Sequence, residues 1–369
     1  MESDSFSYPS GNAYAAHNSS VPTAEDIREM TADNCPRVLL VGLKRSGKTS
    51  IMETVFHLSS PDNSLHLDSG LRPVAWPLKS VPSIVFVDVP GSLDLDEISD
   101  AEAEQVYGGT VSIVFVVDAM TGDSIRTNSI FKLCTIARRA VAINPQINIE
   151  VLIHKLDNQS VQFKTQIQRM FEGYVQEEDY ESHLGDVTFI YHVTSVFNTS
   201  IQVALSKIVQ RLIPQYSTFE NLLSTFLTKS ESHQVYLVDL SSRLYFAKDN
   251  GALDPDMYDL SIHYIDLMDD ILKQQDRDFR GTPDAEEGIG IVELEDDLVL
   301  SYTAVNQYVG IINAFFGSTV KCLPVVEYNL QTLRLSLQET LAYQEQSLEK
   351  QKQRYRQRRL SSHRDGLSD

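Results

Sequence analysis

The sequence predicts a mostly parallel α/β domain with helices on both faces, followed by a separate antiparallel α+β domain. Three observations carry this reading. Short, mostly apolar runs alternate with helical patterns between about residues 36 and 214. Beyond Pro214 the rhythm changes to pairs and triplets of strands separated by single helices. A glycine-containing loop follows the first apolar run directly, where a parallel sheet would hand its chain to a helix.

Taken in order, residues 1–35 are rich in Ser, Asn, Asp and Ala without apolar periodicity, so a disordered arm is expected. The runs Arg37–Val41, Ser83–Asp88, Val111–Asp118, Ile149–His154 and Thr188–Val193 read as strands buried on both faces. Ile201, Leu205, Ile208, Val209 and Leu212 share one helical face, and Pro214 stops that helix. The first domain is therefore 36–214. Ser217-Thr218-Phe219-Glu220 reads as a capping box that opens a helix to about Thr228. Strands are expected at Val235–Leu240 and Arg243–Ala247, joined by a tight Ser-Ser turn, and a helix at Pro255–Lys273. Further strands are expected at Gly290–Leu294, Leu298–Thr303 and Tyr308–Phe315, then a long helix from about Val320. The order α-β-β-α-β-β-β-α makes 215–345 an α+β layer domain. Residues 274–287 read as a loop, and no internal repeat is visible. The basic tail 346–369 is expected to lack fixed structure or to prolong the last helix into solvent.

At 369 residues the chain can bury two ordinary cores. Its net charge of -20 argues against non-specific nucleic-acid binding, which needs a basic face. The acidity is uneven, because residues 350–364 hold Lys350, Lys352, Arg354, Arg356, Arg358, Arg359 and Arg364 and no acid. Cys35, Cys134 and Cys322 are scattered and unpaired in spacing, so neither a disulfide framework nor a zinc cluster is expected. No run of eighteen apolar residues, leader pattern or lipidation motif is present, so membrane attachment is expected only through other proteins. The histidines, such as His57, His192 and His263, lack ligand spacing. The Tyr and Phe residues of the C-terminal strands read as core.

The chemistry begins at Gly42-Leu43-Lys44-Arg45-Ser46-Gly47-Lys48-Thr49, which fits GxxxxGK(S/T) between a strand and a helix. The glycines let backbone N–H groups approach phosphate oxygens at a helix N-terminus. Lys48 would supply charge to the β- and γ-phosphates, and Thr49 a hydroxyl to Mg2+. The bland alternative is a chance match, which the strand-loop-helix context opposes. Asp88-Val89-Pro90-Gly91 ends the next parallel strand. There Asp88 would hold Mg2+ through water and the Gly91 N–H would meet the γ-phosphate. Asp, Pro and Gly are also ordinary turn residues, so this motif gains its meaning from the loop before it. His154-Lys155-Leu156-Asp157 sits at the carboxyl end of a later strand, where open α/β sheets bind ligands. The Asp157 carboxylate can accept from guanine N1–H and its 2-amino group, whereas adenine has neither donor and would leave it unpaired. The stem of Lys155 can cover the base plane. Thr194-Ser195-Val196, after the next strand, would bring a backbone N–H to guanine O6.

With these motifs in order, the chain resembles the Rag/Gtr family of GTPases, in its C/D-type branch. The resemblance covers about residues 36–345. It rests on the stretch from Gly42 to Ser50, on the proline within Asp88-Val89-Pro90-Gly91, and on His154 where most small GTPases have Asn. It rests further on Leu212-Ile213-Pro214 followed by Phe219-Glu220-Asn221-Leu222-Leu223, which looks like this family's bridge between domains. The resemblance implies an α/β P-loop GTPase domain followed by a roadblock/longin-like domain, and GTP or GDP with Mg2+ as ligands. The nucleotide set would be Lys44, Arg45, Ser46, Gly47, Lys48, Thr49, Ser50, Gly91, His154, Lys155, Asp157, Ser195 and Val196, with Thr49 and Asp88 on the metal. It also implies an obligate heterodimer with an A/B-type Rag GTPase and docking on a lysosomal or vacuolar scaffold complex. A GTPase-activating protein and nutrient-dependent recruitment of the target-of-rapamycin kinase complex belong to the same picture. In this branch the GDP-bound state is usually the activating one.

Departures from the family pattern bear on catalysis. Ser92 stands where a Gln commonly orients the attacking water, and its side chain is too short to do so in the same way. The region of the first switch offers Ser69 and Gly70, around Leu67-Asp68-Ser69-Gly70, but no Thr. Lys44 and Arg45 occupy loop positions where other small GTPases place Gly. Together they predict slow intrinsic hydrolysis, with Lys48 and Ser92 as the catalytic candidates. A nucleotide-stabilised scaffold with little turnover is the alternative, and an ATP-using P-loop enzyme is disfavoured by Asp157. Asp157→Asn should exchange guanine for xanthine nucleotides, because xanthine carries a C2 carbonyl in place of the amino group. Competition binding checks this, and unchanged GTP affinity would remove Asp157 from the base site.

Overall fold

The computed structural model describes residues 26–27, 36–64, 70, 72–81, 84–182, 187–278, 289–318 and 323–365. Its first sheet has six strands in the order β2-β3-β1-β4-β5-β6. These are β1 (Arg37–Val41), β2 (Val74–Pro77), β3 (Val85–Asp88), β4 (Thr110–Asp118), β5 (Asn148–His154) and β6 (Phe189–Thr194). All pair in parallel except β2, which runs antiparallel to β3 at one edge. The helices are α1 (Lys48–Phe56), α2 (Pro61–Ser64), α3 (Asp100–Tyr107), α4 (Asp123–Ile143), α5 (Val161–Ser182) and α6 (Ser200–Leu212). Strands β1, β3, β4 and β5 are buried on both faces, with one core cluster around Val38, Leu40, Val114 and Leu152 and another around Leu39, Val87, Val117 and Ile153, whereas β6, expected to be buried likewise, is an edge strand and only partly covered. Alternate residues of each strand thus serve opposite cores, which is why the strands read as continuous apolar runs.

The second sheet is antiparallel, in the order β8-β7-β11-β10-β9. It comprises β7 (Gln234–Asp239), β8 (Tyr245–Lys248), β9 (Ile289–Glu293), β10 (Leu298–Ala304) and β11 (Val309–Phe316). Helix α7 (Tyr216–Ser230) precedes it, α8 (Pro255–Asp278) crosses it, and α9 (Leu323–Asp365) follows it. Both expected fold classes are therefore present. Tyr236, Tyr245 and Tyr258 pack as a buried trio with ring centroids 4.8 to 5.9 Å apart, the core role expected for these aromatics.

Several local expectations differ from the structure. Strand β2 was hidden in the sequence by its proline and its shortness; as an edge strand it tolerates Pro77. The Ser217–Glu220 capping box does not form: the helix begins at Tyr216 behind Gln215, without a side-chain cap. A capping box does form at Ser99, which accepts from the Glu102 N–H while Glu102 accepts from Ser99. Strand β8 starts two residues late because Arg243 has φ 62 and belongs to the turn. Helix α8 continues to Asp278, and the rest of the expected loop, 279–287, lies outside the described residues. The tail is helical as far as Asp365. Ile27 of the expected arm is fully buried in the core beside Leu39 and Val41, whereas 1–25 and 28–35 lie outside the described residues.

Helix α6 joins the two halves. Ile201, Leu205, Ile208 and Val209 enter an apolar core that holds Val38 and Leu40 of the first sheet and Leu237 and Phe246 of the second. Ser206 Oγ accepts the Tyr245 N–H at 3.0 Å, and Gln210 Nε2 donates to the Tyr245 carbonyl at 3.4 Å. Glu150, His192 and Arg211 form a buried-to-surface ionic group that ties α6 back to β5 and β6. Leu205 is fully buried at this junction. Leu205→Ala should cost about 2 to 5 kcal/mol, read as a lower urea midpoint of the full chain.

Candidate functional site

Parallel register lines up the candidate residues at one end of the first sheet. Leu40, two residues before the Gly42 loop, lies opposite Asp88; Asp118 lies opposite His154, and His154 opposite Thr194. All of these are at carboxyl ends of strands. The chain runs from β1 to β2 and β3 on one side and then crosses from β3 to β4 on the other side of β1, which makes this edge a topological switch point.

The loop from Gly42 to Lys48 wraps this edge with little room. Gly42 has φ 150, and a Cβ there would lie 2.3 Å from the Val116 carbonyl oxygen. Gly47 has φ 109, and a Cβ would lie 2.7 Å from the His154 ring. Only glycine satisfies both the backbone angle and the contact. Gly91 presses its Cα against the Leu43–Lys44 backbone, where a Cβ would come within 2.6 Å of the Lys44 nitrogen. Arg45 adopts φ 63, and both Lys44 and Arg45 are exposed. Ser46 is buried. Lys48 is buried too, its Nζ donating to the carbonyls of Gly42 at 2.8 Å and Leu43 at 3.0 Å. Desolvation lowers its pKa to about 8, against the pull of Asp88. A phosphate brought to this ammonium would restore its charge preference.

Thr49, in the first turn of α1, donates its hydroxyl to Asp88 Oδ2 at 2.7 Å. Asp88 is buried, its Oδ1 has no partner in the structure, and its pKa is raised mainly by desolvation. An unpaired buried carboxylate oxygen beside a hydroxyl suits a hard cation. Among the described residues no cluster of three or more His, Cys, Asp or Glu could hold a metal alone. Such a site fits Mg2+, which keeps waters and shares phosphate oxygens rather than demanding a full protein cage. Ser50 and Ser92 are partly buried nearby in sequence, Ser50 in α1 and Ser92 in the turn after Gly91. Ser69 lies outside the described residues.

The far side of the edge is held by β5 and β6. Lys155, at φ 66, sends its Nζ to the Arg45 carbonyl at 2.6 Å and to Asp118 Oδ2 at 2.8 Å. Asp118, which sequence reasoning left unassigned, therefore fixes the lysine whose stem would cover the base; its place ending β4 was the available signal. His154 is almost wholly buried, and its Nδ1 faces Thr194 Oγ1 at 2.9 Å. Asp157 Oδ1 accepts the Ser195 hydroxyl. The Ser195 N–H is committed to Ser200 Oγ at 2.9 Å, so Ser195 contributes through its hydroxyl in this arrangement. Val196 follows in the same turn. His192 and His57 pair with Glu150 and Glu53 and play no part here.

Desolvation, reinforced by the charge of Lys155, lowers the His154 pKa to about 4. The unfolded chain then binds more protons than the folded one between roughly pH 6.5 and 4. Stability should be complete above that window and fall as the pH drops through it, by on the order of 3 kcal/mol relative to His154→Gln. Urea unfolding of both proteins at pH 7 and pH 4 measures the difference.

Comparison with known proteins bears on this geometry. The family model described as the Gtr1/RagA G protein conserved region matches residues 37–265. GTP-binding protein gtr2 of Schizosaccharomyces pombe is 32% identical over 307 residues, covering 82% of this chain and 96% of that one. GTP-binding protein GTR2 of Saccharomyces cerevisiae is 30% identical, covering 84% of this chain and 94% of that one. Human Ras-related GTP-binding protein C is 30% identical, covering 82% of this chain and 76% of that one. The gtr1 and GTR1 proteins of the same two yeasts match at only 25% and 21%. The Gly42 loop, the Asp88 strand end and the His154–Asp157 turn thus sit in a chain that belongs to the Rag/Gtr family of GTPases, in its C/D-type branch.

Proposed function

We propose that this chain is the C/D-type subunit of a Rag GTPase heterodimer, binding GTP and GDP with Mg2+ and hydrolysing GTP slowly. The convergence of Lys48, the Thr49–Asp88 pair and Asp157 on one sheet edge is the observation that supports it. In this reading the Gly42–Lys48 backbone and the Lys48 ammonium hold the phosphates. Lys44, Arg45, Ser46 and Ser50 complete that wall, and Gly91 offers its N–H to the γ-phosphate. Thr49 and Asp88 would hold Mg2+, which neutralises charge on the β- and γ-oxygens. Asp157 reads the guanine, Lys155 covers its plane, and the Val196 amide is assigned to O6. His154 acts one layer behind, keeping Gly47 in place.

Its partners in this reading are an A/B-type Rag GTPase, a lysosomal or vacuolar scaffold complex, a GTPase-activating protein and the target-of-rapamycin kinase complex, to which it relays amino-acid status. Among the described residues no helix is long and apolar enough to cross a membrane. A scaffold role with little turnover is favoured by one feature, Ser92, which stands directly after Gly91.

Purification with and without an A/B-type partner, followed by identification of the retained nucleotide, tests base identity and pairing together. Adenosine nucleotides, or none in the assembled pair, would overturn the reading. Lys48→Ala should weaken triphosphate binding at least about tenfold, the loss expected for a charge-assisted contact, in equilibrium titration. Single-turnover GTP decay separates switch from scaffold: no decay even with an activating protein leaves the scaffold. If Ser92 limits turnover, Ser92→Gln should accelerate that decay by about tenfold or more.

A further inference from the structure

The two sheets touch at a hairpin that begins beside the proposed nucleotide site. Strand β2 pairs with β3 so that Val74 lies opposite Asp88. At the other end the Leu78 N–H donates to the Ile84 carbonyl at 3.1 Å, and the Ile84 N–H to the Val81 carbonyl at 2.9 Å. Leu78 is fully buried in the core that also holds Leu237, Leu244 and Phe246 of the second sheet. Ser80, at the tip, is buried, and its N–H donates to Asp239 Oδ1 at 2.9 Å.

Asp239 ends β7 and is wholly removed from solvent. Its second oxygen accepts from the Ser242 N–H at 2.8 Å and from the hydroxyls of Ser241 and Ser242 at 2.7 Å. One carboxylate therefore serves two domains: Oδ2 fixes the β7–β8 turn, and Oδ1 reaches across to the hairpin. If the hairpin slid away, a buried anion would lose a donor and a buried N–H would lose its acceptor, each costly without replacement. Hairpin tip and turn are thus constrained to move together or to separate as a discrete step.

We propose that Asp239 is a positioning residue for the nucleotide site: by holding the β2–β3 hairpin it makes nucleotide release depend on the second domain. This rests on the reading of Thr49 and Asp88 as the Mg-nucleotide site. The chain of contacts is short. Nucleotide and cation act on Asp88, Asp88 is paired to Val74, and the hairpin carries any shift to Ser80 and Asp239. Linkage makes the effect reciprocal, so a partner that grips the Asp239–Ser242 turn changes nucleotide affinity by the factor by which nucleotide changes its own.

The test uses the full chain assembled with an A/B-type partner and loaded with fluorescent GDP or a non-hydrolysable GTP analogue. Ser80→Pro removes the N–H donor, replaces the hydroxyl with a ring that fixes φ, and leaves the groups of the Asp239 turn in place. Asp239→Asn keeps the side-chain shape but turns an amide donor against another donor. Each should speed nucleotide release about fivefold or more, and the double variant should release no faster than the quicker single one, because one bond is shared. Amide exchange at residues 239–242 should differ between diphosphate- and triphosphate-loaded wild type and become alike in both variants; simple destabilisation would not remove that difference. Wild-type release rates in either folded variant, or multiplicative acceleration in the double variant, would overturn the proposal. An assembled pair in which this wild-type chain retains no guanine nucleotide would overturn the site reading beneath it, and the proposal with it.

Discussion

Parallel pairing of β1 with β3 and β4 is the constraint on which the rest of this molecule depends. Hydrogen-bond register fixes where each strand ends, and the strand ends fix where the chain turns. Because Leu40 pairs with Asp88 and Asp118 with His154, the Gly42 loop, the Asp88 carboxylate and the His154–Asp157 turn meet at one edge. No side chain in that set needs to reach far. Asp88 and His154 end buried strands, and the Gly42 loop and the turn to Asp157 start directly after theirs, so the scaffold under the site is as rigid as the core itself.

The polar groups of this edge illustrate how burial tunes chemistry. Lys48 and Asp88 are both nearly enclosed, and desolvation pushes each toward its neutral form. Neither finds a full complement of partners among the described residues: Lys48 turns to loop carbonyls and Asp88 keeps one oxygen without a partner there. Such groups are costly in an isolated fold, and phosphate oxygens with a divalent cation would relieve both at once. His154 is the opposite case. It is buried neutral, spends one nitrogen on Thr194, and uses its ring as a spacer against Gly47, where an amide side chain is the commoner choice in small GTPases.

The second domain is more than an appendage. Helix α6 lies in a core common to both sheets, and the β2–β3 hairpin meets Asp239 from the other direction. The region after Gly91 is held as firmly to its own domain. Arg139 of α4 donates to the carbonyls of Asp96 and Ile98 at 2.9 and 2.6 Å, and Lys132 pairs with Asp94 and Asp96. The segment after Gly91 is therefore fastened through a few identifiable polar contacts, while the loop after β1 is fixed by close packing.

By itself the sequence determined the elements whose cause is local. Apolar runs announced the parallel strands, Pro214 ended α6, and the spacing of Gly42, Gly47, Lys48 and Thr49 announced a tight glycine loop between strand and helix, because these follow from backbone angles and from burial patterns along a few residues. Tertiary structure alone decided what depends on distant partners. Strand β2 exists because β3 offers it an edge, Ser217 does not cap α7 because that helix already begins at Tyr216, and Ile27 is buried because the folded sheet provides a place for it. The place of Asp118 at a strand end was visible, but its hold on Lys155 came only with the register of β4 on β5, and the role of Asp239 only when a second sheet brought its carboxylate to Ser80. Both are cases in which a charge acquires its role from a neighbour more than thirty residues away, and sequence spacing carries no record of such distances.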